Sequence, residues 1–166
     1  RAITSSGTTM KFLFMVKFLL IVASATFASS VTNASADTTF LSKAVFAGGP
    51  FWGLEAAMES LPGVKAAIPG YVGPPDSTLA YDKVIEGGTG HVLAVEVRFD
   101  PAVIDYRTLL TAFFAIHDPT TLNRQGNDVG TQYRSLIQYA DENQRAMATT
   151  SFAAYEQALD RAGHGQ

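Results

Sequence analysis

Residues 43–47 read Lys-Ala-Val-Phe-Ala, an apolar run closed by Gly48 and Gly49, and they predict a short buried strand. Phe51, Leu54, Met58 and Leu61 then recur at helical spacing, which predicts a helix with one apolar face. Pro50 suits the first turn of that helix: its fixed φ is already helical, and the N–H it lacks would have had no partner there. Pro62-Gly63 ends the helix. A second apolar run at 64–68 predicts another strand. Residues 69–90 are rich in Gly, Pro, Asp, Ser and Thr and predict one long loop, a length that marks a loop as functional or mobile.

Residues 91–99, HVLAVEVRF, alternate. Leu93, Val95, Val97 and Phe99 share one face, with Glu96 and Arg98 on the other, the pattern of a half-buried strand. Asp105 caps a helix whose apolar set includes Leu109, Leu110, Phe113 and Phe114. Residues 118–132 form a polar loop, 133–139 a strand, and Asp141 caps a final helix that ends near Gly163. The order β-α-β-β-α-β plus a terminal helix is that of an α+β two-layer sandwich with a split βαβ (ferredoxin-like) core.

The N-terminal region has a different pattern. Lys11 gives a positive start, an apolar segment runs from Phe12 to Ala25 with Lys17 inside it, and small residues lead to Ala34-Ser35-Ala36. That is the build of a signal peptide with an A-x-A cleavage site, too short after Lys17 to span a bilayer comfortably. The expected organisation is upstream sequence without structural meaning at 1–9, a signal peptide at 10–36 and one domain at 37–166. The product would be exported, periplasmic or secreted.

Composition narrows the chemistry. The formal net charge is −3, 16% of residues are charged, and no basic stripe occurs, so a nucleic-acid partner is not expected. The chain has no cysteine, hence no disulfide, thiolate metal site or thiol nucleophile of its own. His91, His117 and His164 share no short ligand spacing, so no metal is expected. His91 reads as a residue leading into a strand, and His117-Asp118 as helix-end chemistry. Glu55 and Glu59 read as solvated.

In order along the chain stand GG-P-FWGLE, LPGV, GYVG, Tyr81, GGTGH, FDP and HDPTTLNRQGNDVGTQYRS. Together they resemble peptide methionine sulfoxide reductase A, with GTQYRS at 130–135 and GG-x-FWG at 48–53 the most specific signals. The resemblance runs from about Ala44 to Tyr139. It implies a fold built on the split βαβ unit and reduction of the S-epimer of methionine sulfoxide, free or in proteins. It also implies thioredoxin or other thiols as reductant, and no bound cofactor. The family's cysteine, between GG and FW, attacks the sulfoxide sulfur to give a sulfenic acid that thiols recycle. A glutamate in the strand after GH protonates the oxygen.

Carried over residue by residue, Phe51 and Trp52 match the enclosure of the substrate methyl, and Tyr81, Asp128 and Tyr133 match the oxygen-binding set. Taken without the resemblance, Phe51 and Trp52 also read as core at a helix start, and Asp128 as a turn brace. The nucleophile position holds Pro50 and the acid position Leu93. The resemblance therefore implies a family member in oxidative protein repair that is itself inactive. Two alternatives stay open: a weak binding module for oxidised methionine, and the product of a degraded gene. The expected partners are peptides or proteins containing methionine sulfoxide, and the expected state is a monomer. Family members continue past the last helix, so a shortened C-terminus is expected here.

Overall fold

The structure, a computed structural model, describes residues 40–76 and 79–163. The expected signal peptide, its cleavage point and the residues upstream of Met10 lie outside the described residues. Strand β1 (Ser42–Ala47) leads through helix α1 (Phe51–Glu59) to β2 (Val64–Val72). A short helix α2 (Tyr81–Ile85) precedes β3 (Val92–Phe99), and α3 (Tyr106–Ile116) follows. A two-residue ladder joins β4 (Arg124–Gln125) to β5 (Asp128–Val129), and a 3-10 turn (Thr131–Tyr133) leads into β6 (Leu136–Gln138) and α4 (Glu142–Arg161).

The main sheet has the order β2-β3-β1-β6. β3 is antiparallel to β1 and to β2, so β1 and β2 run parallel with β3 between them; β3 and β6 likewise flank β1. These are two interleaved split βαβ units, as the element order predicts.

One face of this sheet carries the main core. Ala44 and Phe46 of β1, Ala67 of β2 and Val95, Val97 and Phe99 of β3 pack against Leu54 and Met58 of α1 and Leu109, Leu110 and Phe113 of α3. Phe46 and Phe113 stack with ring centroids 4.9 Å apart. Two side chains tie down the helix starts: Asp105 accepts a hydrogen bond from Thr108 N at 2.7 Å, and Asp141 accepts one from Gln144 N at 2.8 Å. Each satisfies an amide that the first helical turn would otherwise leave without a partner. Buried Gln144 also donates through Nε2 to the Lys43 carbonyl at 2.7 Å, fastening α4 to β1.

Five expectations are corrected. β2 runs on to Val72 through Pro69 and Gly70, because its ladder with β3 continues to Val72 opposite Val92. β2 is an edge strand, and there a proline removes no ladder hydrogen bond. Residues 81–85 inside the expected loop are helical. β3 is buried on both faces over its first four residues, where Val92 and Ala94 meet Ala47 on the side away from the main core. Tyr133 lies in a 3-10 turn and not in a strand, and the polar segment 118–132 contains the β4–β5 ladder.

Candidate functional site

β1 delivers the chain into a turn with little room. A Cβ on Gly48 would lie 2.9 Å from His117 Cδ2, and one on Gly49 would lie 2.5 Å from Gln125 Cγ. Gly49 also has φ +94, a conformation that side chains with a Cβ resist. The two glycines therefore let the turn press against the end of α3 and against β4. Pro50 comes next with φ −56 and ψ 134. It is the residue before the helix and not part of its first turn, which corrects the sequence expectation: ψ is extended, and Phe51 is the first helical residue. No side chain caps α1, so the free amides of its first turn look out at the place where Pro50 stands.

Phe51 is the hub of an aromatic cluster. It packs on the main core and meets Trp52 edge-on at 5.5 Å, Tyr81 at 6.0 Å and Tyr71 at 6.5 Å. Trp52 is 59% exposed, an outlay of apolar surface that burial alone does not explain. Tyr81 opens α2, so the helix that interrupts the expected loop is what brings this ring to Phe51. Burial, and after it the proximity of Tyr81 and Asp82, pushes the Tyr71 phenol above its ordinary pKa of 10.0. Leu93 is 1% exposed and pairs with Tyr71 across the β2–β3 ladder.

Beside Pro50 and Trp52 lies a cleft of about 220 Å³, also lined by Leu54, Ile116, His117 and Gln125. Its two polar side chains are largely committed. His117 donates from Nδ1 to the Phe113 carbonyl at 2.6 Å, and its ring lies 4.0 Å from that of Phe113. Its Nε2 is buried without a partner. Burial lowers the His117 pKa below 6.5, against opposing contributions from the Phe113 hydrogen bond and Asp118. Gln125 accepts from Asp118 N at 3.2 Å and turns Nε2 to the Gly48 carbonyl at 3.5 Å.

The structure brings Phe51, Trp52 and Tyr81 together, with Pro50 and Leu93 at the turn and the neighbouring strand. Asp128 and Tyr133 sit on the segment that follows β4. Asp128 is exposed in β5 opposite Gln125, and Tyr133 is partly exposed in the 3-10 turn. No side-chain hydrogen bond or ring contact among the described residues joins either to the aromatic cluster. Buried Gln132 anchors their segment to α2 by donating to the Ile85 carbonyl at 2.8 Å, and Arg134 donates to the Gly90 carbonyl at 3.2 Å.

Sequence reasoning gave no role to Tyr71 or Gln125 and read His117 only as helix-end chemistry, not as part of the site. The signal for Tyr71 was register: once β2 extends to Val72, Tyr71 falls opposite Leu93. For the other two the signal was Gly48-Gly49, since paired glycines ask which neighbours approach so closely. Among the described residues no group of three or more histidines and carboxylates is placed to hold a metal, and no helix is long and apolar enough to cross a membrane.

Residues 42–162 match the peptide methionine sulfoxide reductase family. The chain is 56% identical over 108 residues to peptide methionine sulfoxide reductase MsrA of Chromobacterium violaceum, covering 65% of this chain and 61% of that protein. It is 48% identical over 120 residues to the MsrA of Natronomonas pharaonis, covering 72% and 65%. It therefore spans roughly three fifths to two thirds of the length of these curated relatives. Among solved structures it resembles methionine sulfoxide reductase A of Corynebacterium diphtheriae, with TM-score 0.71 and 34% identity over 76% of this chain and 61% of that one. It also resembles reduced Mxr1 of Saccharomyces cerevisiae, with TM-score 0.67 and 29% identity over 75% and 71%.

Proposed function

The chain belongs to the peptide methionine sulfoxide reductase family, and from that premise we propose that it keeps the family's aromatic wall for a methionine side chain but does not reduce methionine S-sulfoxide itself. One observation carries this reading: the residue between Gly49 and Phe51 is proline, in a chain without cysteine. Reducing a sulfoxide to a thioether and water takes two electrons and two protons. A thiolate supplies the electrons by attacking sulfur and passing to a sulfenic acid. The Pro50 side chain is a saturated hydrocarbon with no nucleophilic atom that can be oxidised, so the loss is one of kind. Leu93 is a second loss of a different size, since a missing general acid alone costs roughly 10²–10⁴ in rate.

In this reading Phe51, Trp52 and Tyr81 bound the substrate side chain, and Asp128 and Tyr133 complete its rim from the β5 and 3-10 segment. The substrates approached are methionine-containing peptides and proteins, and the reductants used by active relatives have nothing here to recycle. The pattern from Lys11 to Ala36 supports export, with Asp37 as the first residue of the mature protein; N-terminal sequencing of exported material checks that.

The test of inactivity is direct. Purified protein with excess dithiothreitol and a peptide bearing methionine S-sulfoxide is expected to form no more methionine than the protein-free blank. Protein-dependent methionine formation, read by mass spectrometry, overturns the proposal.

A further inference from the structure

We propose that the open edge of β2 receives an extended methionine-containing peptide as an added strand, with the methionine paired to Tyr71. The choice of methionine rests on the reading of Phe51, Trp52 and Tyr81 as a wall for that side chain; the pairing rests on β2 alone.

β2 stands at the edge of the main sheet, with β3 as its one neighbour. A proline cannot donate into a ladder, yet the β2–β3 register runs unbroken through Pro69, opposite Val95. Position 69 therefore turns its backbone away from β3, and by the alternation of an antiparallel ladder so do Ala67 and Tyr71. Among the described residues no backbone–backbone hydrogen bond outside this ladder reaches any of the three. The open groups are the N–H and C=O of Ala67 and Tyr71 and the C=O of Pro69.

Two features restrict what this edge accepts. Pro69 interrupts the row of donors, and exposed Lys65 puts a charge near the start of the strand. Both are devices that keep one edge from pairing with the same edge of another copy. Beyond Pro69 a short stretch remains, centred on Tyr71, whose N–H and C=O both face outward. Gly70 beside it has nothing within 4 Å of where a Cβ would stand, so no neighbour crowds an arriving backbone there.

The pleat then decides where an added residue points. A residue that exchanges both backbone bonds with Tyr71 lies about 5.5 Å from it, Cα to Cα, and its side chain shares Tyr71's face of the sheet. That is the face of α1: Ala67, at the same parity, packs in the main core with Leu54 and Met58, and the Tyr71 ring lies 6.5 Å from Phe51. A methionine at that place meets the ring cluster from the side, while its two neighbours point to the opposite face. A slip of one residue would turn it away. The backbone bonds supply affinity, and the face of Tyr71 chooses which residue of the peptide is read.

The probe is the peptide acetyl-Thr-Val-Met-Val-Thr-amide, titrated into the full chain. Trp52, the only tryptophan of the chain, lies 5.5 Å from Phe51 and reports on the cluster by fluorescence. Amide hydrogen exchange followed by NMR reports on Tyr71, whose N–H is expected to exchange more slowly with peptide bound. N-methylation of the methionine amide, which donates to the Tyr71 carbonyl, is expected to weaken binding about tenfold, the size of one lost hydrogen bond. N-methylation of either valine, whose N–H points away from β2, is expected to leave binding nearly unchanged. Equal effects of the two N-methyl positions overturn the pairing, as does a Tyr71 amide that exchanges equally fast with and without peptide. Protection of that amide by protein concentration alone overturns it too, and assigns the edge to a second copy. An alanine-for-methionine peptide that binds equally well, with Tyr71 protected, refutes instead the methionine wall, so the two failures are told apart.

Discussion

Tyr71 and Leu93 stand directly opposite each other in the antiparallel β2–β3 register. Leu93 is sealed at 1% exposure, while Tyr71 stays in touch with solvent and with the Phe51 ring. The pair therefore joins the buried sheet to the aromatic site, and position 93 is the cheaper of the two to probe. Leu93→Glu is expected to destabilise the protein by about 2–4 kcal/mol at neutral pH, from lost apolar burial and a buried carboxylate. Burial raises the folded pKa of that carboxyl above its unfolded value of about 4.3. Below the unfolded value both states are protonated and the charge penalty vanishes; it grows as pH rises through the folded pKa. Urea unfolding at neutral pH and near pH 4 should show the gap to the parent closing in acid. An equal stability at neutral pH would show that the phenols solvate the new group.

Tyr106 presents the opposite case, a polar atom that the core does not use. Its hydroxyl is buried without a partner while its ring stacks on Phe46 at 6.1 Å. Burial, with a smaller contribution from Asp141, pushes its pKa up to about 12. Tyr106→Phe keeps the stack and removes the orphaned group, so thermal unfolding should show no loss and a gain of up to about 1–2 kcal/mol. Below pH 10 both states of the parent hold the proton; as pH climbs from 10 toward 12 the unfolded chain ionises first and stability falls. The variant should lose less over that range. A clear destabilisation at neutral pH would mean that the hydroxyl has a water partner worth keeping.

The sheet and its helices were legible because their residues obey a single period. Leu54 and Met58, or Val95, Val97 and Phe99, each read out the face they bury. The β2 extension was not legible, because Pro69 and Gly70 look like breakers and only the edge position makes them harmless. Nor was the helix at Tyr81, five residues long and without a side-chain cap. The 118–135 segment failed for a related reason. Its shape is set by Gln125, Gln132 and Arg134 reaching carbonyls far away in sequence, and local propensity contains no such information. Phe51, Trp52 and Tyr81 could be picked out only as a motif; the cleft behind Trp52 needed the fold.

His117 should give the protein a mildly acidic weak point. Its folded pKa lies below 6.5, so only well above pH 6.5 are both states neutral and its contribution intact. As pH falls through 6.5 toward the folded value the unfolded chain takes the proton first, and stability is lost. The groups known to act on the ring are the Phe113 carbonyl and Asp118, which favour protonation and are outweighed by burial. The lowered carboxylates Glu96, Asp105 and Asp118 act further down, below about pH 4.5, and so leave this window clear. The urea midpoint should drop between pH 7 and about pH 5, and His117→Gln should flatten that slope. An identical slope in the variant would assign the effect elsewhere.

Restoring the missing chemistry tests whether the turn survives as a scaffold. Pro50→Cys places a thiol just before α1, where free amides and the helix dipole lower a thiol pKa. Pro50 makes no cap and donates no hydrogen bond, so its loss should cost little stability. Leu93 still provides no proton. The single variant is therefore expected to reduce methionine S-sulfoxide roughly 10²–10⁴ more slowly than Pro50→Cys/Leu93→Glu. The double variant should also be the less stable of the two, by the burial cost at position 93. Turnover with dithiothreitol and thermal unfolding of both proteins give the four numbers needed. Activity in the double variant alone, or in both with that ratio, supports a pocket built from Phe51, Trp52, Tyr81, Asp128 and Tyr133. If both variants fold as well as the parent and neither turns over, those five side chains do not converge on a sulfoxide, and the chain has kept its family's fold without its family's site.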